Sequence, residues 1–314
     1  MMKVVKYNKE YKLMWDDFLD QAKNSHFIFK RDYMDYHQYR FLDFSLLVFD
    51  DKEKLVALLP ANKVDDILYS HQGLTFGGFI VGDRVTTELM LLIWDVIKNF
   101  LLENSFSKII YKCIPYIYHK TPAEEDRYAL FVNNAKLIRR DVTSTISLDK
   151  EIRYSKGRKW SINKAKKEFV SVVESFDYDC FWKILTEVLE SQHGKKPVHS
   201  LEEIEMLAKK FPNNIKLFLA LKEDKVISGA VIYENEEIVH TQYLANSQIG
   251  RECGGLDYLL DHLVKNQFSS QKKYFDFGIS NEGNGKILNL GLISQKEGFG
   301  AKAVVHDFYE ICLI

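Results

Sequence analysis

Apolar and polar positions alternate in two long blocks of the chain, each followed by a run at helical spacing. In the first block, FSLLVFDDKEKLVALLPANKVDDILYS, apolar stretches bracket acidic and lysine-rich turns, which predicts strand, turn, strand, turn, strand. The run TTELMLLIWDVIKNFLLEN then predicts a helix, with Thr86 or Thr87 as N-cap and Glu88 in its first turn, and the strand SKIIYKCI follows. The second block, IKLFLALKEDKVISGAVIYENEEIVHTQYLA, repeats the strand and turn order. In GLDYLLDHLVKNQF, the residues Leu256, Leu259, Leu260, Leu263 and Val264 share one helical face, and the strand KKYFDFGIS comes next. Each block closes alike, on a helix (AEEDRYALFVNNA; GKILNLGLISQKEG) and a long strand (KLIRRDVTSTISL; AKAVVHDFYEICLI).

Local text recurs as well: VIKNF and LVKNQF stand roughly 165 residues apart, too far for a solenoid repeat and suited to duplicated domains. The expected fold class is therefore α/β (α+β): two tandem copies, each a mixed β-sheet flanked by helices, facing an inter-domain cleft. The copies are placed at 1–149 and 150–314. The second opens on KEIRYSKGRKWSINKAKKEF, whose period gives a basic helix with Trp160 and Ile162 available to dock it. Such a helix reads either as a solvated linker or as a phosphate-facing wall.

Composition narrows the class. The 314 residues are 46% hydrophobic and 28% charged, a folded globular balance. With 43 Lys and Arg against 44 Asp and Glu, the net charge of -1 argues against a general polyanion binder, and DNA is not an expected partner. No stretch reaches the roughly 18 apolar residues of a membrane span, and the N-terminus lacks a signal-peptide run, so a cytoplasmic location is expected. The four cysteines, Cys113, Cys180, Cys253 and Cys312, are scattered and fit neither a disulfide framework nor a zinc site. No metal-ligand spacing, nucleophile pair or P-loop is present.

The order of elements, the basic segment RKWSINKAKKE, and the stretches ALLPAN with SHQGLTFGGFIV, CGGLDYLLDHLV and KYFDFGIS...GLISQKEGFG together resemble a family. It is the tandem GNAT acyltransferases of the Fem-type peptidyltransferase and polysaccharide-associated acetyltransferase group. The resemblance runs from about Trp15 to Phe308. It implies N-acyl transfer: from acetyl-CoA to the amine of a nucleotide- or lipid-linked sugar in surface polysaccharide assembly, or from aminoacyl-tRNA to a cell-wall precursor. A duplicated, non-catalytic ligand-binding scaffold is the third reading. In the acetyl-CoA members a Gln/Arg-x-x-Gly-x-Gly/Ala turn holds the pyrophosphate on backbone N–H groups. Here SQIGRECGGL offers Arg251, Gly254 and Gly255, with Leu256 in the last small position.

Acyl transfer to an amine needs a neutral amine, a polarised carbonyl and the two held together. Neutralising an amine of pKa near 8 costs only about 1 kcal/mol at neutral pH, whereas positioning supplies up to about 7–11 and an oxyanion donor about 3–4 kcal/mol. In YFDFGIS the strand period puts Tyr274, Asp276, Gly278 and Ser280 on one face. Asp276 is then a candidate base, with Ser280 or Asn281 reaching polar groups at the strand end. His240, on the preceding strand with Gln242 on its face, is the alternative base. In the first copy Tyr69, His71, Gly77 and Gly78 are expected at the acceptor, a plain β-turn being the rival reading. The resemblance adds Lys296 as a binder of an anionic acceptor, and Asn289 lies two turns before it.

Overall fold

The computed structural model describes residues 2–313, the side chains of residues 192 and 193 apart. Two compact units are interleaved in sequence: residues 1–141, 281–287 and 305–314 form one, and 142–280 with 288–304 form the other. The sequence placed one join at 149/150; compactness divides the chain after Asp141 and assigns its last ten residues to the first unit.

In the first unit the three strands expected of the meander are four, Leu46–Phe49 and Leu55–Leu59 in one sheet and Asn62–Val64 and Ile67–Tyr69 in another. Lys3–Lys6, Leu46–Phe49, Leu55–Leu59 and Ile80–Val81 form a four-stranded antiparallel sheet. Ile67–Tyr69 runs parallel to Lys108–Lys112. The helix Thr87–Glu103 starts where its cap predicts, with Thr86 Oγ1 accepting from Leu89 N. Its buried face, Met90, Ile93, Trp94, Ile97 and Leu101, repeats at helical spacing and joins Leu46, Leu59, Phe79 and Ile109 in one apolar core.

The second unit is built on a mixed sheet in the order Ser171–Ser175, Ile215–Lys222, Lys225–Glu234, Ile238–Asn246, Tyr274–Ile279 and residues 142–147 of Lys136–Ser147. The first four strands are antiparallel neighbours; the helices Tyr178–His193 and Leu201–Lys210 connect the first to the second, and short turns connect the rest. Ile238–Asn246 and Tyr274–Ile279 are parallel, because the helix Gly255–His262 carries the chain from one to the other. That helix widens into a π turn, Leu263–Gln267, where the sequence period predicts one continuous α-helix. Leu256, Leu259, Leu260, Leu263 and Val264 are all buried, as their spacing requires.

The basic helix is Lys156–Lys167, capped by Ser155. Ile162 and Ala165 are its buried residues, so one turn of apolar contact holds a helix whose other positions are mostly cationic. Burying an isoleucine contributes about 1.5–3 kcal/mol. The segment GKILNLGLISQKEG is only partly helical: Ile287–Leu288 is a short strand and the helix is Leu290–Glu297, with Asn289 as N-cap.

Candidate functional site

The parallel strands of the second unit pair over three rungs only, Ile238 with Tyr274, Val239 with Phe275 and His240 with Asp276. Beyond that rung they part. Two irregularities prepare the separation. A bulge at Gln242 shifts the register of Ile238–Asn246 against Lys225–Glu234, and Gly278, at φ +74°, breaks the ladder of Tyr274–Ile279 with residues 143–147. Only a residue tolerant of left-handed backbone fits there, which is why a glycine stands one position before the end of the strand.

A pocket of about 600 Å³ occupies the opening. Leu244 and Asn246 line it from one strand and Phe277 from the other. The basic helix contributes Arg158, Trp160 and Ser161, and Leu290–Glu297 contributes Leu292, Gln295 and Lys296. Trp160 is 68% exposed, and Lys164 Nζ stands 5.6 Å from its ring centroid. Val188 and Leu189 of the helix Tyr178–His193 complete a wall.

Lys296 is the buried cation of this pocket. Its Nζ donates to the carbonyls of Gly278 and Ile279, each at 2.8 Å, which ties the bulged strand end to the helix. An ammonium has three donors, and these carbonyls engage two of them. Burial lowers its pKa to about 8, against the opposing pull of the Asp276 charge.

Asp276 lies beneath this layer and does not line the pocket. It is fully buried, and its carboxylate accepts from Thr143 Oγ1, from Thr145 Oγ1 at 2.9 Å and from His240 Nδ1 at 2.8 Å. An ionised carboxylate only accepts, so His240 carries its proton on Nδ1. The expectation that Asp276 faces substrate as the base is thus corrected: a carboxylate with these donors and no exposure positions its neighbours instead. His240 is 9% exposed and its Cε1 abuts Gly278, where an added Cβ would approach it to 3.2 Å.

The expected pyrophosphate turn is differently built. SQIGRE is the start of a helix, Gln248–Cys253, capped by Ser247 Oγ on Gly250 N. Gly254, at φ +83°, has Ser161 O where a Cβ would come within 2.4 Å, and Gly255 has Ser228 Oγ at 2.8 Å. Both glycines are therefore needed for close packing onto the basic helix and the sheet, and Gly254 also lines the pocket. Arg251 does line the pocket, but its guanidinium donates to Asn246 O and Gln248 Oε1.

The remaining expected residues fall as follows. Gln242 is the bulge residue, and Ser280 is buried, its N–H donating to Val142 O. Asn281 Nδ2 donates to Gly285 O at 3.3 Å, and Asn289 Oδ1 caps Leu292 N. In the first unit, Tyr69 is half-buried and pairs with Asn62. His71 takes a left-handed backbone, φ +59°, and is 3% exposed; its Nδ1 accepts from Gly73 N. Burial, then His37 and Lys112, push its pKa well below the usual value, so the ring is neutral. A Cβ on Gly77 would meet Ser70 O at 1.9 Å, and one on Gly78 would meet Lys112 O at 2.7 Å. Both positions therefore require glycine for close backbone packing. Among the described residues no group of three or more His, Cys, Asp or Glu could hold a metal, and no helix is long and apolar enough to cross a membrane.

No family model and no curated protein matches the chain. Solved structures do. The crystal structure of FemX is 12% identical, covers 97% of this chain and 96% of that one, and superposes with a TM-score of 0.67. L-PGS from Bacillus licheniformis is also 12% identical, over 98% of this chain and 93% of its own, with a TM-score of 0.63. A tandem GNAT protein from the clavulanic acid biosynthesis pathway is 9% identical over 100% and 99%, with a TM-score of 0.52. At these identities the likeness establishes the tandem GNAT fold.

Proposed function

We propose that this chain is an N-acyltransferase whose reaction takes place in the pocket between the parted strands of the second unit. The observation that carries the reading is the Lys296 ammonium, held on the carbonyls of Gly278 and Ile279 by a residue that lines the pocket. A cation there stabilises the oxyanion formed when an amine attacks an acyl carbonyl, a role worth about 3–4 kcal/mol per donor. The facing backbone edge of residues 241–246, unpaired beyond the last rung, supplies the other surface on which a linear acyl chain is held. His240 and Asp276 fix the rung from which the opening starts. The base requirement is small, because an acceptor amine of ordinary pKa is partly neutral at pH 7.

The first donor and acceptor are those implied by the resemblance: acetyl-CoA, and the amine of a nucleotide- or lipid-linked sugar. A second reading, transfer of an aminoacyl group from tRNA, is favoured by one observation: a cationic helix, Lys156–Lys167, flanks the pocket with Arg158 and Trp160 in its lining. The test incubates the protein with acetyl-CoA and a panel of amino-sugar nucleotides, following thiol release, and in parallel with charged tRNA, following deacylation. Turnover of one donor that falls at least about a hundredfold in Lys296→Met supports the reading. Turnover of neither, by folded protein, removes it.

A further inference from the structure

Apolar side chains from separate elements converge on the pocket between the parted strands. Val188 and Leu189 belong to the helix Tyr178–His193, Leu244 to the strand Ile238–Asn246 and Leu292 to the helix Leu290–Glu297. None of them is enclosed by the core: Leu292 is 38% exposed, and the other three are half-buried. Leu256 and Phe277, which are buried core residues, line the same hollow. Apolar walls gathered around one concavity mark a site for apolar ligand surface.

Size and charge narrow that ligand. At about 30 Å³ per heavy atom, the packing of liquid water, the three heavy atoms of an acetyl group take about 90 Å³. The pocket measures about 600 Å³. A pantetheine arm carries amides, whose N–H and C=O groups find no partners on valine, leucine or phenylalanine side chains, so these walls suit the acyl end of a donor better than its carrier. An aminoacyl group would bring an α-ammonium that is mostly charged at neutral pH. Among the described residues that line the pocket, Asp257 is the single carboxylate, and it is already paired with Arg158.

We infer, resting on the acyl-transfer reading of this site, that the group transferred is a hydrocarbon acyl chain of about six to ten carbons carried as a thioester. The chain lies along Val188, Leu189, Leu244 and Leu292, and its carbonyl is at Lys296. The acceptor nitrogen attacks the carbonyl carbon; the C–N bond forms and the C–S bond breaks. The sulfur leaves with the bonding pair and takes up the proton that the nitrogen loses, so nothing is oxidised or reduced.

Calorimetric titration of the full chain with acetyl-, butyryl-, hexanoyl- and octanoyl-CoA tests this, with the same chains on an acyl carrier protein as a second arm. Each methylene set against these walls is worth about fourfold in affinity, so in one arm the octanoyl form is expected to bind at least about a hundredfold tighter than the acetyl form. That arm identifies the carrier. Val188→Trp, which narrows the hollow, and Leu292→Asn, which makes its wall polar, are each expected to reduce the octanoyl preference at least about tenfold. Circular dichroism melts matching the wild type confirm that both variants fold. Acetyl binding as tight as octanoyl in both arms overturns this inference and leaves acyl transfer standing, as does an octanoyl preference that survives in both variants. Binding of charged tRNA alone also overturns it, in favour of an aminoacyl group. Binding of no donor removes the acyl-transfer reading and this inference with it.

Discussion

His240 Nδ1 stands 2.8 Å from Asp276 Oδ2 on the last rung that their two strands share. The bond locks the point from which the sheet opens. Beyond it, the bulge at Gln242 and the left-handed Gly278 turn the strands away from each other, and Lys296 fastens the loosened end.

Removing the carboxylate beneath this arrangement strands several donors at once. Asp276→Ala leaves the Thr143 and Thr145 hydroxyls and the His240 N–H facing an empty, dry site. Breaking a buried pair in this way is expected to lower unfolding free energy by about 3–5 kcal/mol in urea titration. Asp276→Asn keeps an acceptor oxygen and should lose less stability, while turnover still falls, by about a hundredfold, because the pocket's geometry depends on the rung. Unchanged stability in the alanine variant would show that the site does not rely on Asp276.

Lys296 predicts a pH-dependent rate. Its pKa, lowered by burial to about 8, means that the proposed oxyanion donor loses its charge as pH rises through that value. The acceptor amine gains reactivity over the same range, so kcat/KM should rise and then fall, with the descending limb belonging to Lys296. Lys296→Arg, which keeps its charge, is expected to lack that limb. A descending limb that survives in the arginine variant assigns it elsewhere.

Stability should move the other way. Lys112 Nζ donates to His71 O and Leu74 O, and burial with nearby Arg139 lowers it to about 7 from the ordinary 10.5. Between its folded pKa and 10.5 the unfolded chain holds a proton that the folded chain has released. Stability contributed by such a group is absent below the folded value and gained as pH rises. With Lys296 adding the same sign above pH 8, unfolding free energy should increase by at least about 1 kcal/mol from about pH 7 to about pH 8.5. Lys112→Met should flatten most of that slope in urea titrations; a falling slope in the wild type contradicts the assignment.

Two left-handed glycines separate backbone strain from close packing. At Gly194, φ +60°, an added Cβ meets nothing within 4 Å, so Gly194→Ala should cost only about 1 kcal/mol. At Gly254 the same methyl would stand 2.4 Å from Ser161 O, forcing the basic helix off the unit. Gly254→Ala is expected to destabilise by several times as much, and thermal melts of the two variants side by side make the comparison.

Local pattern carried much of this fold, and local pattern is where its reach ended. The meander strands, the helix Thr87–Glu103 with its Thr86 cap and the basic helix all follow from side-chain period and capping chemistry. Gly254 and Gly255 were legible as positions of close approach, but a glycine reads the same whether a phosphate or Ser161 O is what approaches. Asp276 stood on the polar face of its strand as expected, yet its burial depends on Thr143 and Thr145, more than a hundred residues earlier in the chain. Val188 and Leu189, which wall the pocket, are aliphatic side chains with no chemistry by which a sequence pattern singles them out. The interleaving of the units rests on pairings between distant strands, which no local window contains.

The pocket between the parted strands is tested most directly by donor binding. Calorimetric titration with acetyl-CoA and with charged tRNA, in the wild type and in Leu244→Trp, which fills the opening, should show one donor binding to the wild type. That binding should quench Trp160, the exposed tryptophan at the mouth, and disappear in the filled variant. Binding of neither donor, or binding undiminished by Leu244→Trp, would contradict an acyl site in that opening.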